Sequence, residues 1–345
     1  MTQIPSAEFK LLRILEPYLN YRPSKSYPKG IGDDAVVRRC REGERIILTA
    51  DSQIEGVHFL RNRISFREIG YRAMAVNLSD CAAMGAQPDS ALVQMIFPRK
   101  VKNITGPFRE IYRGFHDACV QWKFPIVGGD IASGPCWIIA ITLLGRKEKK
   151  SRDISRTGIR PGDALWVTGN PGASAAGRAA LEKWGRSRVP GQFRFLVRAH
   201  IAPIPRIEAG KILARNPDVH AMIDVSDGIS KECHALAFRN AVGLLLQKSL
   251  PLRNEMIQLG DRLHRNPLDW FLHGGEDYEL LFAAAPGFDP NRVLTRCGVH
   301  ARKIGMFRAK PAGVHIESGM GKSSRIPVGS WDHITISLHQ SASRL

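Results

Sequence analysis

Carboxylates recur in this chain beside glycines, hydroxyls and short apolar runs. Gly30-Ile31-Gly32-Asp33-Asp34-Ala35-Val36-Val37 sets two of them side by side after two glycines. Glycine lets a backbone turn sharply and approach a ligand closely. Adjacent Asp side chains suit a hard cation that prefers oxygen. The pattern repeats at Thr49-Ala50-Asp51, Asn77-Leu78-Ser79-Asp80, Gly128-Gly129-Asp130, Asp224-Val225-Ser226-Asp227-Gly228 and Gly274-Gly275-Glu276-Asp277. Asp51, Asp80, Asp130 and Asp224 each follow an apolar stretch or share an apolar face. Any two of them brought close would repel by about 4 kcal/mol at an effective dielectric near ~20. Convergence therefore requires cations, and the chemistry expected is the handling of metal-bound phosphates.

Some acids have a plainer reading. Asp163 is a turn residue in Arg160-Pro161-Gly162-Asp163. Asp33 either caps a local turn or joins Asp34 in the site. Asp227 is a helix N-cap or a ligand, and Asp277 is structural beside Glu276 or shares its role. Gly319-Met320-Gly321-Lys322-Ser323 resembles the end of a phosphate-binding loop, but Ile316 stands where that pattern needs its first glycine. The histidines show no zinc-protease spacing.

Elements must carry these acids to one place. Ala7 to Leu19 has helical apolar spacing, and Tyr21 to Lys29 reads as a loop. Short strands are expected at Ala35–Val37 and Ile46–Leu48, the second delivering Asp51 at its C-terminal end. Ser65-Phe66-Arg67-Glu68 is a capping box opening a helix that runs to about Met84 and stops at Gly85. Asn77 and Asp80 share a face of it. Ala91–Phe97 and Trp137–Leu144 read as strands and Pro107–Trp122 as a helix. Phe124–Val127 is expected to empty into Gly128-Gly129-Asp130. The charged run Arg146–Arg156 marks a domain boundary. Beyond it come strands at Ala164–Thr168, Met222–Ile223, Leu244–Gln247 and Tyr278–Phe282, an Ala-rich helix after Gly172, and a helix at Ile204–Ala214. Ser226 or Asp227 is expected to cap the helix that follows Asp224, whose free N–H groups suit phosphate. The tail from Gly313 reads as turn-rich.

Composition bounds the rest. With 345 residues there is length for two domains, and 43% hydrophobic residues suffice for real cores. The formal net charge of +18 favours anionic partners, or reflects a basic solvated surface with no specific partner. No RNA-binding signature, zinc-finger spacing or basic–aromatic interleaving supports nucleic acid. The cysteines at 40, 81, 119, 136, 233 and 297 form no C-x-x-C pair, which fits reduced thiols and a cytoplasmic setting. The strongest apolar run, Cys136–Leu144, is too short to span a bilayer, so no membrane association is expected.

Gly-Ile-Gly-Asp-Asp-Ala, Glu55-Gly-Val-His58-Phe, Ala75-Val-Asn-Leu-Ser-Asp80, Ala82-Ala-Met-Gly-Ala86, Gly128-Gly-Asp130, Asp224-Val-Ser-Asp-Gly228 and Gly274-Gly-Glu-Asp-Tyr-Glu-Leu280 occur in the order seen in thiamine-monophosphate kinases. The resemblance covers about Gly30 to His333. Single motifs are shared with the wider aminoimidazole-ribotide-synthetase-like superfamily. The resemblance implies an α/β (α+β) two-domain fold, with residues 1–150 binding ATP and Mg2+ and pairing across a homodimer through a shared sheet. Residues 151–345 would pack helices on a mixed sheet and complete the nucleotide and substrate site. It implies transfer from ATP to thiamine monophosphate, giving thiamine diphosphate.

By position, Asp34, Thr49, Ala50 through its carbonyl, Asp51, Asp80, Asp130, Asp224 and Asp227 resemble the magnesium ligands. Tyr112, Gly129, Asp130, Arg156 and Ser226 match nucleotide contacts. His58, Glu276 and Trp331 match substrate contacts, Trp331 closing over the thiamine rings. Asp51, Asp80, Asp130 and Arg156 would carry catalysis. A phosphate monoester is mostly dianionic above its second pKa near ~6, so the acceptor needs no general base. The chain departs from the family's Thr-Thr-Asp-Thr at Ala50 and from its Gly-Gly-Asp-Thr-Thr-Arg at Ile131-Ala132-Ser133. Those changes put rate and exact substrate in question. A related ATP-using enzyme with another phosphorylated acceptor, and a basic binding protein that kept the fold, stay open as readings.

Overall fold

The structure is a computed structural model describing residues 14–22, 24–27, 38, 40, 42–101, 103–147, 152–319 and 322–329. Asp33, Asp34, the 35–37 strand, most of the 7–19 helix and Trp331 lie outside the described residues.

The elements are β1 (Arg45–Ile54), α1 (Phe66–Ala83), β2 (Gln87–Pro98), α2 (Thr105–Trp122), β3 (Ile126–Gly134) and β4 (Ile138–Lys147). They continue as β5 (Ala164–Thr168), α3 (Ala173–Trp184), α4 (Arg194–Ile201), α5 (Ile207–Arg215), β6 (Val219–Asp224), α6 (Ile229–Arg239) and β7 (Gly243–Leu246). Then follow α7 (Asn254–Leu263), α8 (Pro267–His273), β8 (Leu280–Ala284), β9 (Ala301–Arg308), β10 (Gly313–Gly319) and β11 (Lys322–Arg325). The chain forms two compact units, Met1–Asp153 with Ile201–Arg215, and Ile154–His200 with Asn216–Leu345. The first unit thus includes α5, drawn from the middle of the chain.

Among the described residues the first unit holds a four-stranded sheet ordered β1-β4-β2-β3, with β2 and β3 parallel and the other pairs antiparallel. One face buries Val93, Met95, Ile139, Ile141 and Leu143. α1 packs against β1, β4, α2 and α5. It is apolar or small nearly all round, which is why Ile69, Ala73, Met74, Ala75 and Leu78 are all buried. Its start is the expected capping box, with Ser65 and Glu68 satisfying each other's backbone N–H groups. α1 and α2 cross where neither carries a side chain. A Cβ on Gly70 would sit 2.0 Å from the Ile111 carbonyl oxygen, and one on Gly114 1.9 Å from that of Arg67. Fully buried side chains such as Phe108 and Phe115 each contribute roughly 1.5–3 kcal/mol.

In the second unit a seven-stranded sheet runs β11-β10-β7-β9-β5-β8-β6. β8 lies between β5 and β6 with all five residues buried. α3 packs against α7 and α8, and α6 against β7 and β10.

Several boundaries differ from expectation. Asp51 stands inside β1, because β1 pairs with β4 from Arg45↔Lys147 through Ile54↔Ile138. Ladder hydrogen bonds come from the backbone, so an edge strand continues through polar residues. Gly128-Gly129-Asp130 also lies within a strand rather than after one. A Cβ on Gly129 would meet the Val93 carbonyl oxygen at 1.9 Å, so glycine is what allows β3 to approach β2 there. The helix after Asp224 is capped by Gly228 at φ +112°, with no side-chain cap from Ser226 or Asp227. The turn-rich tail instead gives β10, parallel to β7, and β11, antiparallel to β10.

Candidate active site

β1 alternates its side chains between the two sheet faces. The register aligns Thr49, Asp51 and Gln53 with Leu143, Ile141 and Ile139, which are buried on the helix side. α1 answers with Asn77 and Asp80. Asn77 is 1% exposed and reads two elements at once: its Oδ1 accepts the Asp51 N–H at 3.1 Å, and its Nδ2 donates to the Ala73 carbonyl at 3.1 Å. The Thr49 hydroxyl donates to Asp80 Oδ2. The Asp51 backbone, a hydroxyl, an amide and the Asp80 carboxylate therefore meet where β1 packs on α1. Asp51 is exposed and Asp80 half-buried, so both can reach a ligand. The donors are all hard oxygens, which fits Mg2+ and excludes nothing that Mg2+ needs. Among the described residues no three or more His, Cys, Asp or Glu groups stand close enough to form a complete metal cage.

Asp130 falls in a different row. Its register partners run Gln94, Ala140 and Ser52, on the sheet face opposite to Asp51. Tyr112 is buried on α2, stacked with Phe108 at 6.4 Å and edge-on to Phe115 at 5.0 Å. Burial pushes its phenol well above the usual range, so it stays neutral. His58 sits in the turn after β1, where its Nδ1 accepts the Ile54 N–H at 3.1 Å. In the neutral ring this leaves the hydrogen on Nε2.

In the second unit the Asp224–Asp227 turn is fastened to the Glu276–Glu279 segment. Glu276 N–H donates to the Ser226 carbonyl at 2.6 Å, Tyr278 N–H to that of Val225 at 2.9 Å, and Val225 N–H to that of Glu279 at 2.8 Å. Asp224 is buried at the end of β6. Asp227 accepts from Lys231 Nζ at 2.5 Å, and its N–H donates to Glu232 at 3.0 Å. Burial pushes the Glu232 carboxyl up to about 7. Arg156 is exposed, and its carbonyl accepts from Asn240. Sequence reasoning left Asp277 between two roles, and the structure gives it one: it accepts the Gly172 and Ser174 N–H groups at 2.7 and 3.1 Å, capping α3. The Thr168–Glu279 bond at 2.7 Å and the buried His200 carried no local signal, because their partners lie far along the chain.

Residues 32–146 match the AIR synthase related protein N-terminal domain, and residues 160–316 match its C-terminal domain. The chain is 35% identical over 286 residues to the thiamine-monophosphate kinase of Rhodopirellula baltica, covering 80% of this chain and 82% of that protein. The chain belongs to the thiamine-monophosphate kinase family. A solved thiamine-monophosphate kinase from Stenotrophomonas maltophilia superposes with a TM-score of 0.79 at 29% identity, over 90% of this chain and 96% of that one. AaThiL complexed with AMPPCP and TMP gives 0.75 at 30% identity, over 94% and 96%. The two-domain α/β fold expected for a thiamine-monophosphate kinase is therefore the fold found. No helix among the described residues is long and apolar enough to cross a membrane.

Proposed function

We propose that this protein transfers the γ-phosphoryl group of ATP to thiamine monophosphate. A phosphate oxygen of the acceptor attacks the γ-phosphorus, the bond to the β,γ-bridging oxygen breaks, and thiamine diphosphate and ADP leave. The observation that carries this reading is the β1–α1 junction of Thr49, Asp51, Asn77 and Asp80, in a chain 30% identical to a kinase solved with AMPPCP and TMP.

Asp51, Asp80, Thr49 and the Ala50 carbonyl are the proposed Mg2+ ligands of the first unit, with Asp34 and Asp130. Asp224 and Asp227 are those of the second. Bound Mg2+ would screen the repulsion between two anionic reactants. Asn77 fixes the β1 backbone so that Asp51 is presented without rearrangement. Arg156 supplies positive charge to the transferring group, and Tyr112, Gly129 and Ser226 contact the nucleotide. His58, Glu276 and Trp331 contact the acceptor. No side chain serves as a general base, since the acceptor phosphate is already ionised near neutral pH.

Residues 1–150 would bind ATP and Mg2+ and form a homodimer, and residues 151–345 would complete the site. Support for dimerisation is the sheet face away from the helices. Leu48 there is 68% exposed, and Leu92, Ile96, Ile138 and Leu144 are half-buried. These side chains lie on either side of the polar row of Ser52, Gln94 and Asp130, and exposed apolar groups of this kind are common in protein interfaces. A cytoplasmic setting follows from the biosynthetic reaction proposed.

The test is incubation with Mg-ATP and either thiamine monophosphate or free thiamine, with products identified by mass. Thiamine diphosphate is expected from the monophosphate alone. Equal or better phosphorylation of free thiamine, or none of either, overturns the reading.

A further inference from the structure

Three side chains of the second unit meet behind the Gly274–Glu279 loop. His200 Nδ1 stands 3.2 Å from Ser174 Oγ and 3.6 Å from Glu276 Oε2. Ser174 is fully buried and His200 is 5% exposed, whereas the Glu276 side chain keeps 25% of its exposure. The buried pair thus backs a carboxylate that reaches solvent.

The loop is built to hold that carboxylate still. Glu276 and Tyr278 adopt φ +59° and +52°, left-handed values that side chains disfavour. Such residues are strained and persist where surrounding bonds over-determine them. Here the Glu276 and Tyr278 N–H groups are taken by Ser226 and Val225. The acids on either side of Tyr278 serve the fold: Asp277 caps α3, and Glu279 accepts from Thr168. Glu276 is the acid of this loop turned toward solvent with an imidazole behind it. A glutamate side chain otherwise samples many rotamers and loses that freedom when one must be selected on binding. With Ser174 Oγ holding the ring at 3.2 Å, the imidazole edge 3.6 Å from the carboxylate is at ion-pair distance and narrows the rotamers open to it beforehand.

We propose that His200 and Ser174 are positioning residues that aim the Glu276 carboxylate at an amine N–H or an organic cation of the phosphate acceptor. The inference rests on the kinase reading above. Thiamine monophosphate offers both groups, an aminopyrimidine and a thiazolium. A carboxylate meets either through a charge-assisted contact, stronger than a neutral one.

The experiment measures kcat, KM for each substrate, and calorimetric binding of thiamine monophosphate without ATP. Wild type, Glu276→Gln, His200→Ala, His200→Asn and the Glu276→Gln/His200→Ala double variant are compared. Both single losses should raise KM and Kd for thiamine monophosphate about tenfold and leave KM for ATP within about twofold. His200→Asn, whose amide N–H lies near the Nδ1 position, should recover most of the loss. The double variant should bind no more than about twofold weaker than Glu276→Gln, because both changes remove one interaction. Additive losses, an unmoved KM in His200→Ala, or parallel shifts for ATP overturn the positioning role. If His200→Ala does not fold, Ser174→Ala carries the test, with about a threefold rise expected and no rise counting against the proposal. Wild type that neither binds nor phosphorylates thiamine monophosphate overturns the kinase reading, and this role with it. Active wild type with unmoved variants overturns this role alone.

Discussion

Asp277 accepts the Gly172 N–H at 2.7 Å across 105 residues of sequence. Gly172, at φ +84°, is the N-cap of α3 and has no side chain with which to satisfy the helix's free N–H groups. The acid that completes the cap comes from the loop that also presents Glu276. Helix start and proposed substrate loop are thereby one hydrogen-bonded unit.

That cap should be sensitive to pH. Burial pushes the Asp277 carboxyl up to about 8, against the downward pull of the Gly172 and Ser174 N–H groups and with the neighbouring Glu279 and Glu276 adding to the rise. In the unfolded chain an Asp titrates near ~3.9. Between those values the folded state holds a proton that the unfolded state has lost. This group's contribution is therefore full below about pH 4 and is lost as pH rises through about 8. Asp277→Asn cannot titrate. Its Tm relative to wild type should improve from about pH 5 to about pH 9, read by thermal melts. A difference that does not vary with pH would show that Asp277 stays ionised in the fold.

Asn77→Ala removes the acceptor for Asp51 N–H and the donor to Ala73. Loss of a buried amide's partners costs about 1–3 kcal/mol, so Tm should fall by several degrees. If the residue also orients Asp51, kcat should drop by about tenfold or more, as for groups that support metal ligands. A lower Tm with unchanged kcat would confine Asn77 to packing.

Asp51→Asn and Asp80→Asn should each lower kcat by about a hundredfold or more, the scale seen when one preorganised charge-stabilising group is lost. Tm should hold or rise, because a like-charge pair is relieved. Steady-state kinetics at saturating Mg2+ together with melting curves check both halves. Near-normal kcat would mean that the acids serve the fold only.

Trp331→Ala tests an assignment made from sequence. An indole over a thiazolium is worth about 2 kcal/mol when desolvated, roughly 30-fold in affinity. KM for thiamine monophosphate should rise more than about tenfold, with KM for ATP little changed. Parallel shifts in the two constants would remove Trp331 from the acceptor site.

Local signals in the sequence carried well. The Ser65–Glu68 capping box and the apolar spacing of α1 and α2 depend only on near neighbours, and both elements lie where the residues predict. Asn77 and Asp80 on one face of α1 followed from helical geometry. Strand ends were less legible. Asp51 and Asp130 look like termini because polarity rises there, yet β1 and β3 continue wherever a neighbouring strand offers backbone partners. The expected cap by Ser226 or Asp227 failed because Gly228 took that place and the Glu276 and Tyr278 N–H groups drew the preceding carbonyls elsewhere. His200 was invisible for the same reason as the α3 cap: a histidine in a short amphipathic helix that also carries Arg194 and Arg198 does not announce a partner far along the chain.

The crossing of α1 and α2 at Gly70 and Gly114 has a consequence for variation. These positions touch no proposed ligand and carry no functional group, yet a single methyl at either would collide with backbone at about 2 Å. The helices would have to part, and α1 would move Asn77 and Asp80 away from β1 with every acid still present. In a library of random variants, inactivating changes should therefore be as dense at this crossing as among the carboxylates. Activity would be lost there through displacement of intact chemistry, and because the colliding atoms are backbone, no trimming of a side chain in the opposing helix would make room.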